Sequence, residues 1–421
     1  MKTFQWPLLR SMLDLGSGDF LGRICGIATV LVLAHRCGVV VVGVYALAQT
    51  MLQYSQPVID FGMRHVGARL VAQCPQAARE IVLRVQRRRF AMASALFPVL
   101  LVYAAFAKLP WGLKGWLAAV AAICTLHALS LDWVAWGKGH MRLVGFGRSS
   151  VSVLMLISVV LARNSEQVLW WLACGIFGGS LVQGAIFWSW WWRHQPVDKQ
   201  SVAPPAISES LAWQRTSILG LATLCNLVFN SIDMLMLGVM SNPREVGLYS
   251  ASYRVVNQVL YTYYLLTQVL YPQLARQDVQ ERIRMLSPRV LLALAGAGTA
   301  IAAVLAVTRR PVLNLLFGAQ FLPATLLLLL LAWAIPLDFL TSYLNNAYLA
   351  WGMEKKLLLC TMIAAASNVM LNLIWIPAYG ATAAAVNTLI SYVIFLASLA
   401  LAGRSARELN AGTEPLPELI A

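Results

Sequence analysis

Gly43-Val44-Tyr45-Ala46 returns later in the chain as Gly247-Leu248-Tyr249-Ser250, and Ala135-Trp136-Gly137 returns as Ala350-Trp351-Gly352. Each copy stands at the same place in a repeating hydrophobic pattern, so the chain reads as two like-oriented halves. Around these stretches, apolar runs near or above the ~18–20 residues that cross a bilayer follow one another along most of the length. Of 421 residues, 59% are hydrophobic and only 12% are charged, and the mean hydropathy is +0.69. That charged share is about half the usual one for a globular protein. The pattern predicts an all-α polytopic membrane protein, with about 12 transmembrane helices in two six-helix lobes around a central cavity. The alternating segments of ~10 residues that mark a β-barrel are missing.

The expected spans in the first half are residues 13–34, 38–59, 90–107, 113–136, 149–161 and 168–192. In the second half they are residues 217–240, 246–271, 290–307, 321–348, 357–376 and 381–401. The domain reading is an N-terminal lobe over 1–192, a cytoplasmic linker over 193–210, a C-terminal lobe over 211–402 and a polar cytoplasmic tail over 403–421. The linker holds Pro196, Pro204 and Pro205, and the tail is expected to be disordered. The first apolar stretch carries Asp14, Asp19 and Arg23 and lacks a small-residue cleavage site, so it reads as a retained helix.

The formal charge of +15 is mostly a statement about topology. One set of loops, including both termini, holds most of the Lys and Arg residues. The opposite set holds only Arg36, Lys108, Lys114, Arg163, Arg244, Arg309 and Arg310. This bias places both termini in the cytoplasm, with some attraction to anionic membrane lipid. The Arg87-Arg88-Arg89 run is read the same way, and no nucleic-acid partner is expected. Trp188, Trp190, Trp191 and Trp192 at one boundary, and Trp111 and Trp116 at the other, are read as interfacial anchors. The seven cysteines form no CxxC or metal-ligand spacing, so neither a metal site nor a disulfide is inferred. No nucleotide-binding, metalloprotease or nucleophile-elbow pattern occurs. The sequence therefore gives no enzyme signature and no cofactor.

Polar residues inside the spans carry the functional reading, because an ionisable group at mid-membrane costs about 3 kcal/mol on insertion scales. The first span has Gly18, Gly22 and Gly26 at four-residue spacing, a stripe that lets another helix approach. Asp19 and Arg23 share a face; they form either a structural ion pair or a cationic group for an anionic substrate. The second span aligns Tyr45, Gln49, Gln53, Gln56 and Asp60 on one side. The eighth span mirrors it with Ser250, Arg254, Asn257, Gln258, Tyr261 and Gln268, and the repeat sets Asn257 opposite Gln53 and Tyr249 opposite Tyr45. These stripes either line a shared cavity or bond to neighbouring helices within each half. In the cavity reading, Arg23 and Arg254 supply one guanidinium from each half. Such forks suit phosphate oxygens, a pyrophosphate in particular. The Gln, Asn and Tyr side chains suit sugar hydroxyls. Asp19, Asp60 and Asp233 are the candidates for coupling to an ion, with pairing to an arginine as the alternative for Asp233. Asp132 and Asp338 read as structural or ambiguous, and His127 as a packing residue.

The chain resembles the polysaccharide-transport, O-antigen-type flippases of the multidrug/oligosaccharidyl-lipid/polysaccharide (MOP) exporter superfamily. The resemblance lies in Gly43-Val44-Tyr45-Ala46, Asp60-Phe61-Gly62 with Arg69, Ile232-Asp233-Met234-Leu235, Val246-Gly247-Leu248-Tyr249 and Leu316-Phe317-Gly318. It continues through Ala350-Trp351-Gly352 and from Asn368 to Asn372, Ile376-Pro377 and Gly380-Ala381. It implies a bacterial inner-membrane protein that flips undecaprenyl-pyrophosphate-linked oligosaccharide by alternating access, for assembly of O-antigen lipopolysaccharide, capsule or exopolysaccharide. It further implies cavity-facing arginines at the places of Arg23 and Arg254, and a polysaccharide polymerase with its chain-length machinery as partners. A multidrug or organic-cation antiporter of the same superfamily is the nearest alternative, and a membrane-embedded polymerase or acyltransferase a more distant one.

Overall fold

The computed structural model describes residues 6–163, 167–194, 209–275, 287–351 and 353–411, and these are helical almost throughout. Most of the expected linker, the last ten residues of the tail, Gly352 of the second Ala-Trp-Gly copy and the Gln268 side chain lie outside the described residues. Nine helical runs among the described residues are long and apolar enough to cross a membrane. The chain is a multi-pass membrane protein.

Two of those runs, Ser17–Asp60 with 44 residues and Glu354–Gly403 with 50, are far longer than a single crossing requires. Each is broken by one glycine. Helix α1 (Trp6–Asp60) leaves helical geometry at Gly38, with φ 81° and ψ −174°. That region is open essentially to glycine alone. The last helix, Glu354–Ala411, breaks the same way at Gly380, with φ 57° and ψ −134°. The expected boundaries between the first and second spans, and between the eleventh and twelfth, are thus single-residue breaks rather than loops. The same last helix continues through Ala411 into the stretch expected to be disordered, where Ala406, Arg407, Glu408 and Leu409 are strong helix formers.

Contacts divide the chain into two compact units. The first comprises Met1–Leu227, Leu237–Gly247 and Leu316–Gln320, and the second Val228–Met236, Leu248–Leu315 and Phe321–Ala421.

In the first unit, α1 is followed by α2 (Met63–Gln73), α3 (Ala78–Phe106), α4 (Trp111–Cys124), a 3-10 turn over Thr125–Leu129, α5 (Asp132–Gly137), α6 (Met141–Leu161) and α7 (Val168–Arg193). The glycine stripe of α1 works as close packing. A Cβ on Gly18 would overlap the Gly145 backbone of α6, and Gly22 faces Ser149. Further along, Arg36 Nη1 donates to the carbonyls of Val159 and Ala162, each at 3.3 Å. The contacts climb in step, so α1 and α6 run parallel. The repeated glycines pack reciprocally: a Cβ on Gly43 would overlap the Pro243 carbonyl, and one on Gly247 the Val39 carbonyl. The repeated Gly43 and Gly247 are therefore the two faces of one close helix crossing that leaves no room for a side chain.

A core of Trp133, Phe187, Trp190, Trp191, Leu131 and Ile81 fills the middle of this unit. This corrects the anchoring role expected of several tryptophans. Trp116, Trp190 and Trp191 are buried, and Trp188 donates its indole N–H to the Leu129 carbonyl. Trp111 and Trp192 are exposed and fit a membrane boundary.

In chain order the remaining helices are α8 (Glu209–Met240), α9 (Pro243–Ala275), α10 (Pro288–Phe317), a 3-10 turn over Ala319–Ala324, α11 (Thr325–Ala332), α12 (Ala334–Ala350) and α13 (Glu354–Ala411). The second unit's core gathers Phe229, Leu344, Tyr348, Tyr392, Phe395 and Leu399. α10 presents exposed Leu292, Val307 and Leu315, as a helix facing lipid would. The eighth expected span falls on α9, which is not among the nine apolar runs. Its polar stripe, including Arg254, Asn257 and Gln258, lowers its hydropathy.

Candidate functional site

The first unit holds a network of ionised side chains built around a broken helix. Between α4 and α5 the backbone leaves regular α-helix, which releases a series of carbonyl groups. Inside a membrane protein each needs a partner, since water is scarce. Four successive carbonyls are claimed by side chains. Arg89 Nη2 bonds the His127 carbonyl at 2.8 Å, Gln86 Nε2 bonds Ala128 at 2.7 Å, Trp188 bonds Leu129 at 2.8 Å, and Arg89 Nη1 bonds Ser130. Arg89 is 1% exposed, and its Nε lies 2.8 Å from Asp60 Oδ1 at the end of α1. The His127 ring bonds Ser55 Oγ at 2.7 Å, as a packing histidine does.

Past the break, Asp132 receives two arginines on one oxygen. Arg64 Nη2 stands 2.8 Å from Asp132 Oδ2, and Arg148 approaches the same atom with Nε at 2.9 Å and Nη2 at 2.8 Å. Ser130 Oγ donates to the other oxygen at 3.1 Å. Asp19 lies within electrostatic reach of both Arg23 and Arg64. Outside the spans, desolvation and the neighbouring Arg64 cation hold the His65 imidazole below its usual pKa, so it is neutral at pH 7.

The second unit is organised differently. Asp233, on α8 and 2% exposed, accepts hydrogen bonds from Tyr249 OH at 2.8 Å, Thr388 Oγ1 at 2.9 Å and Asn372 Nδ2. Asn372 also donates to Asn368 Oδ1 at 2.8 Å and accepts from Asn387 Nδ2 at 2.9 Å. Asp338 on α12 accepts from Tyr392 OH at 3.0 Å and Ser342 Oγ at 3.3 Å. Among the described residues, neither carboxylate forms an ion pair with Lys or Arg. Asp60 and Asp132 in the first unit are neutralised by guanidinium, whereas Asp233 and Asp338 are held by neutral donors.

The sequence-predicted site residues separate by environment. Tyr45 and Tyr249, equivalent in the repeat, are both buried, and Gln53 and Asn257, also equivalent, are both exposed on their helices. Gln49 donates to Tyr45 OH at 3.0 Å and to Met155 Sδ at 3.3 Å, so it is tied within the first unit. Gln56 and Tyr261 are partly buried, Gln258 is exposed, and Tyr261 stacks on Tyr264 with centroids 6.2 Å apart. Arg23 and Arg254 are both partly exposed, each within its own unit.

Sequence reasoning misses Arg64, Arg89 and Arg148, which it assigns to loops as topology charges. It also misses the part played by Thr388 and Asn387. One signal is available: Arg148 lies inside the apolar run Leu143–Leu161, which the expected span enters too late, at Ser149.

A search of the solved structures finds the same helical arrangement in several transporters. The lipid II flippase MurJ in an inward closed conformation superposes with a TM-score of 0.57 at 14% identity, covering 93% of this chain and 87% of that one. The Vibrio cholerae MATE transporter VcmN, in its bent form, superposes at 0.57 with 16% identity, covering 95% and 99%. The chain shares the fold of these transporters. A MOP transporter from Pyrococcus furiosus, described as having a binding pocket of reversed polarity, matches at 0.57 with 13% identity over 98% and 100%. A family model described as "Polysaccharide biosynthesis protein" matches residues 148–326, a stretch that runs from within α6 into α11. No curated protein matches the sequence.

Proposed function

We propose that this chain carries a lipid-linked oligosaccharide diphosphate from the cytoplasmic to the periplasmic leaflet of a bacterial inner membrane by alternating access. Both termini lie in the cytoplasm in this reading. Arg23 and Arg254 bind the diphosphate. Gln49, Gln53, Gln56, Asn257, Gln258 and Tyr261 serve the sugars, and the isoprenoid tail stays in the bilayer. The substrate is the undecaprenyl-pyrophosphate-linked repeat unit of a surface polysaccharide, delivered to a polymerase and its chain-length machinery.

One observation carries the reading: partly exposed arginines persist in α1 and in α9, at positions inside the expected spans where an ionisable side chain is costly. The family model for polysaccharide biosynthesis and the fold shared with a lipid II flippase support it. A cationic-drug antiporter asks for surplus acid at its binding site. In the first unit Asp60 is matched by Arg89, and Asp132 by two arginines, so that unit offers no surplus acid; Asp233 and Asp338 in the second are held by neutral donors.

An ion-coupled cycle needs a group that binds the ion differently in the two states. Asp233 suits this role better than Asp60, because its partners are neutral and tolerate loss or gain of a proton or a small cation. The test is surface-polymer production in a deletion strain complemented with Arg23→Gln, Arg254→Gln and the double variant. The double variant should lose most export while inserting normally. Full polymer production by a correctly inserted double variant would reject the assignment, and a changed drug-susceptibility profile with intact polymer would favour the antiporter.

A further inference from the structure

Helix α9 of the second unit turns a polar face outward. Across residues 248–264 the exposed side chains are Asn257, Gln258, Thr262 and Tyr264, and each of them can hydrogen-bond. α10 shows the opposite habit, with Leu292 and Val307 exposed at 70% and 80%. Polar side chains set against acyl chains lose their partners, so the exposed face of α9 suits water or a polar cargo. Arg254, Asn257, Tyr261 and Tyr264 follow one another at spacings of three, four and three, which puts them on one side of the helix.

The run Tyr261-Thr262-Tyr263-Tyr264 divides between two tasks. Tyr263 is an inward anchor: its ring stacks on Phe339 with centroids 3.9 Å apart, and its OH donates to the Phe339 carbonyl at 2.8 Å. That contact fixes the rotation of α9. Thr262 spends its hydroxyl on its own helix, donating to the Gln258 carbonyl at 3.0 Å. Tyr261 and Tyr264 form a pair, with ring planes inclined by 29° and centroids 6.2 Å apart, and Tyr264 is 49% exposed. Two near-parallel rings one turn apart offer a broad aromatic surface. Its electron-rich face attracts C–H groups, and the phenol hydroxyls both donate and accept. A pyranose ring matches that combination, because it carries a patch of C–H bonds on a face and hydroxyls at its rim.

We propose that Tyr261 and Tyr264 form a sugar-stacking platform whose ligand is a pyranose of the lipid-linked oligosaccharide, with Tyr264 as a specificity-determining residue. The inference rests on the proposed function and deepens it, since it names the sugars the site accepts: rings with an uninterrupted C–H patch. Arg254 lies ten residues before Tyr264 on the same side, about 15 Å along the helix axis. A diphosphate held at Arg254 would extend its sugars past Asn257 and Gln258 towards the platform.

The experiment uses the full chain in phosphatidylcholine nanodiscs, analysed by native mass spectrometry. The probes are geranylgeranyl diphosphate and the same lipid carrying glucose, galactose or N-acetylglucosamine on its diphosphate. In the wild-type chain at least one sugar-bearing probe should bind more tightly than the bare diphosphate. Tyr261→Leu/Tyr264→Leu should erase that gain, about tenfold, and leave the bare diphosphate bound as before. Tyr261→Phe/Tyr264→Phe, which keeps the rings and loses the hydroxyls, should retain most of the gain. A gain that survives the leucine pair would overturn the platform and leave the transport reading in place. An equal loss for bare and sugar-bearing probes would also overturn it, making the two tyrosines structural residues or membrane-boundary anchors. Where the leucine pair does not fold, Tyr264→Leu alone is read by the same outcomes. Wild-type binding of the bare diphosphate with no gain from any of the sugars would reject the platform alone. Failure of the wild-type chain to bind any of the probes would reject the transport reading and the platform with it.

Discussion

At the scale of single residues, the ion pair of Asp60 with Arg89 sets the clearest expectation. Arg89 also holds two carbonyls of the broken stretch after α4. Replacing it with Leu strands a buried carboxylate and exposes backbone acceptors to an apolar interior. The expected loss is about 3–5 kcal/mol, read as a lower unfolding temperature in detergent. The Asp60→Leu/Arg89→Leu pair should recover part of that loss, because no lone charge remains. Asp233 makes the opposite case. Asp233→Asn retains the size and much of the hydrogen bonding, so the unfolding temperature should shift little while polymer export falls. Equal damage to both measurements would make Asp233 a structural residue. In the sequence these acids looked alike. Their partners lie far away along the chain, Thr388 and Asn372 for one and Arg89 for the other, and no spacing rule reaches that distance.

At the scale of elements, single glycines divide the longest helices. Gly38 holds a backbone geometry that side chains resist, and Gly38→Ala should cost about 1–3 kcal/mol, measured by thermal unfolding. A Cβ there would also meet the Gln320 side-chain oxygen at 2.9 Å. Gly26 in the α1 stripe has nothing within 4 Å of its would-be Cβ, so Gly26→Ala should be neutral or slightly stabilising by helix propensity. The stripe was legible as a packing device, but which of its glycines touch a neighbour depends on where α6 lies. The break between α4 and α5 was not legible. Thr125–Leu129 reads as a continuous helical stretch, and the side chains that satisfy its freed carbonyls, Arg89, Gln86 and Trp188, come from other helices.

At the scale of the whole molecule, the charge bias between loops predicts cytoplasmic termini. A green fluorescent protein fused after Ala421 should fluoresce, and an alkaline phosphatase fused at the same place should be inactive. The reverse pattern would invert the direction of transport in the proposed function. The multi-pass helical class was legible because bilayer thickness imposes a minimum length and an apolar surface on every span. Those constraints act locally along the chain, so the sequence alone determined them. Which arginines are structural and which are presented outward was decided only by the tertiary structure. An arginine looks the same in the sequence whether it is sealed against a buried carboxylate, as Arg89 is, or shares one while partly exposed, as Arg148 does, and only the packed neighbours set which.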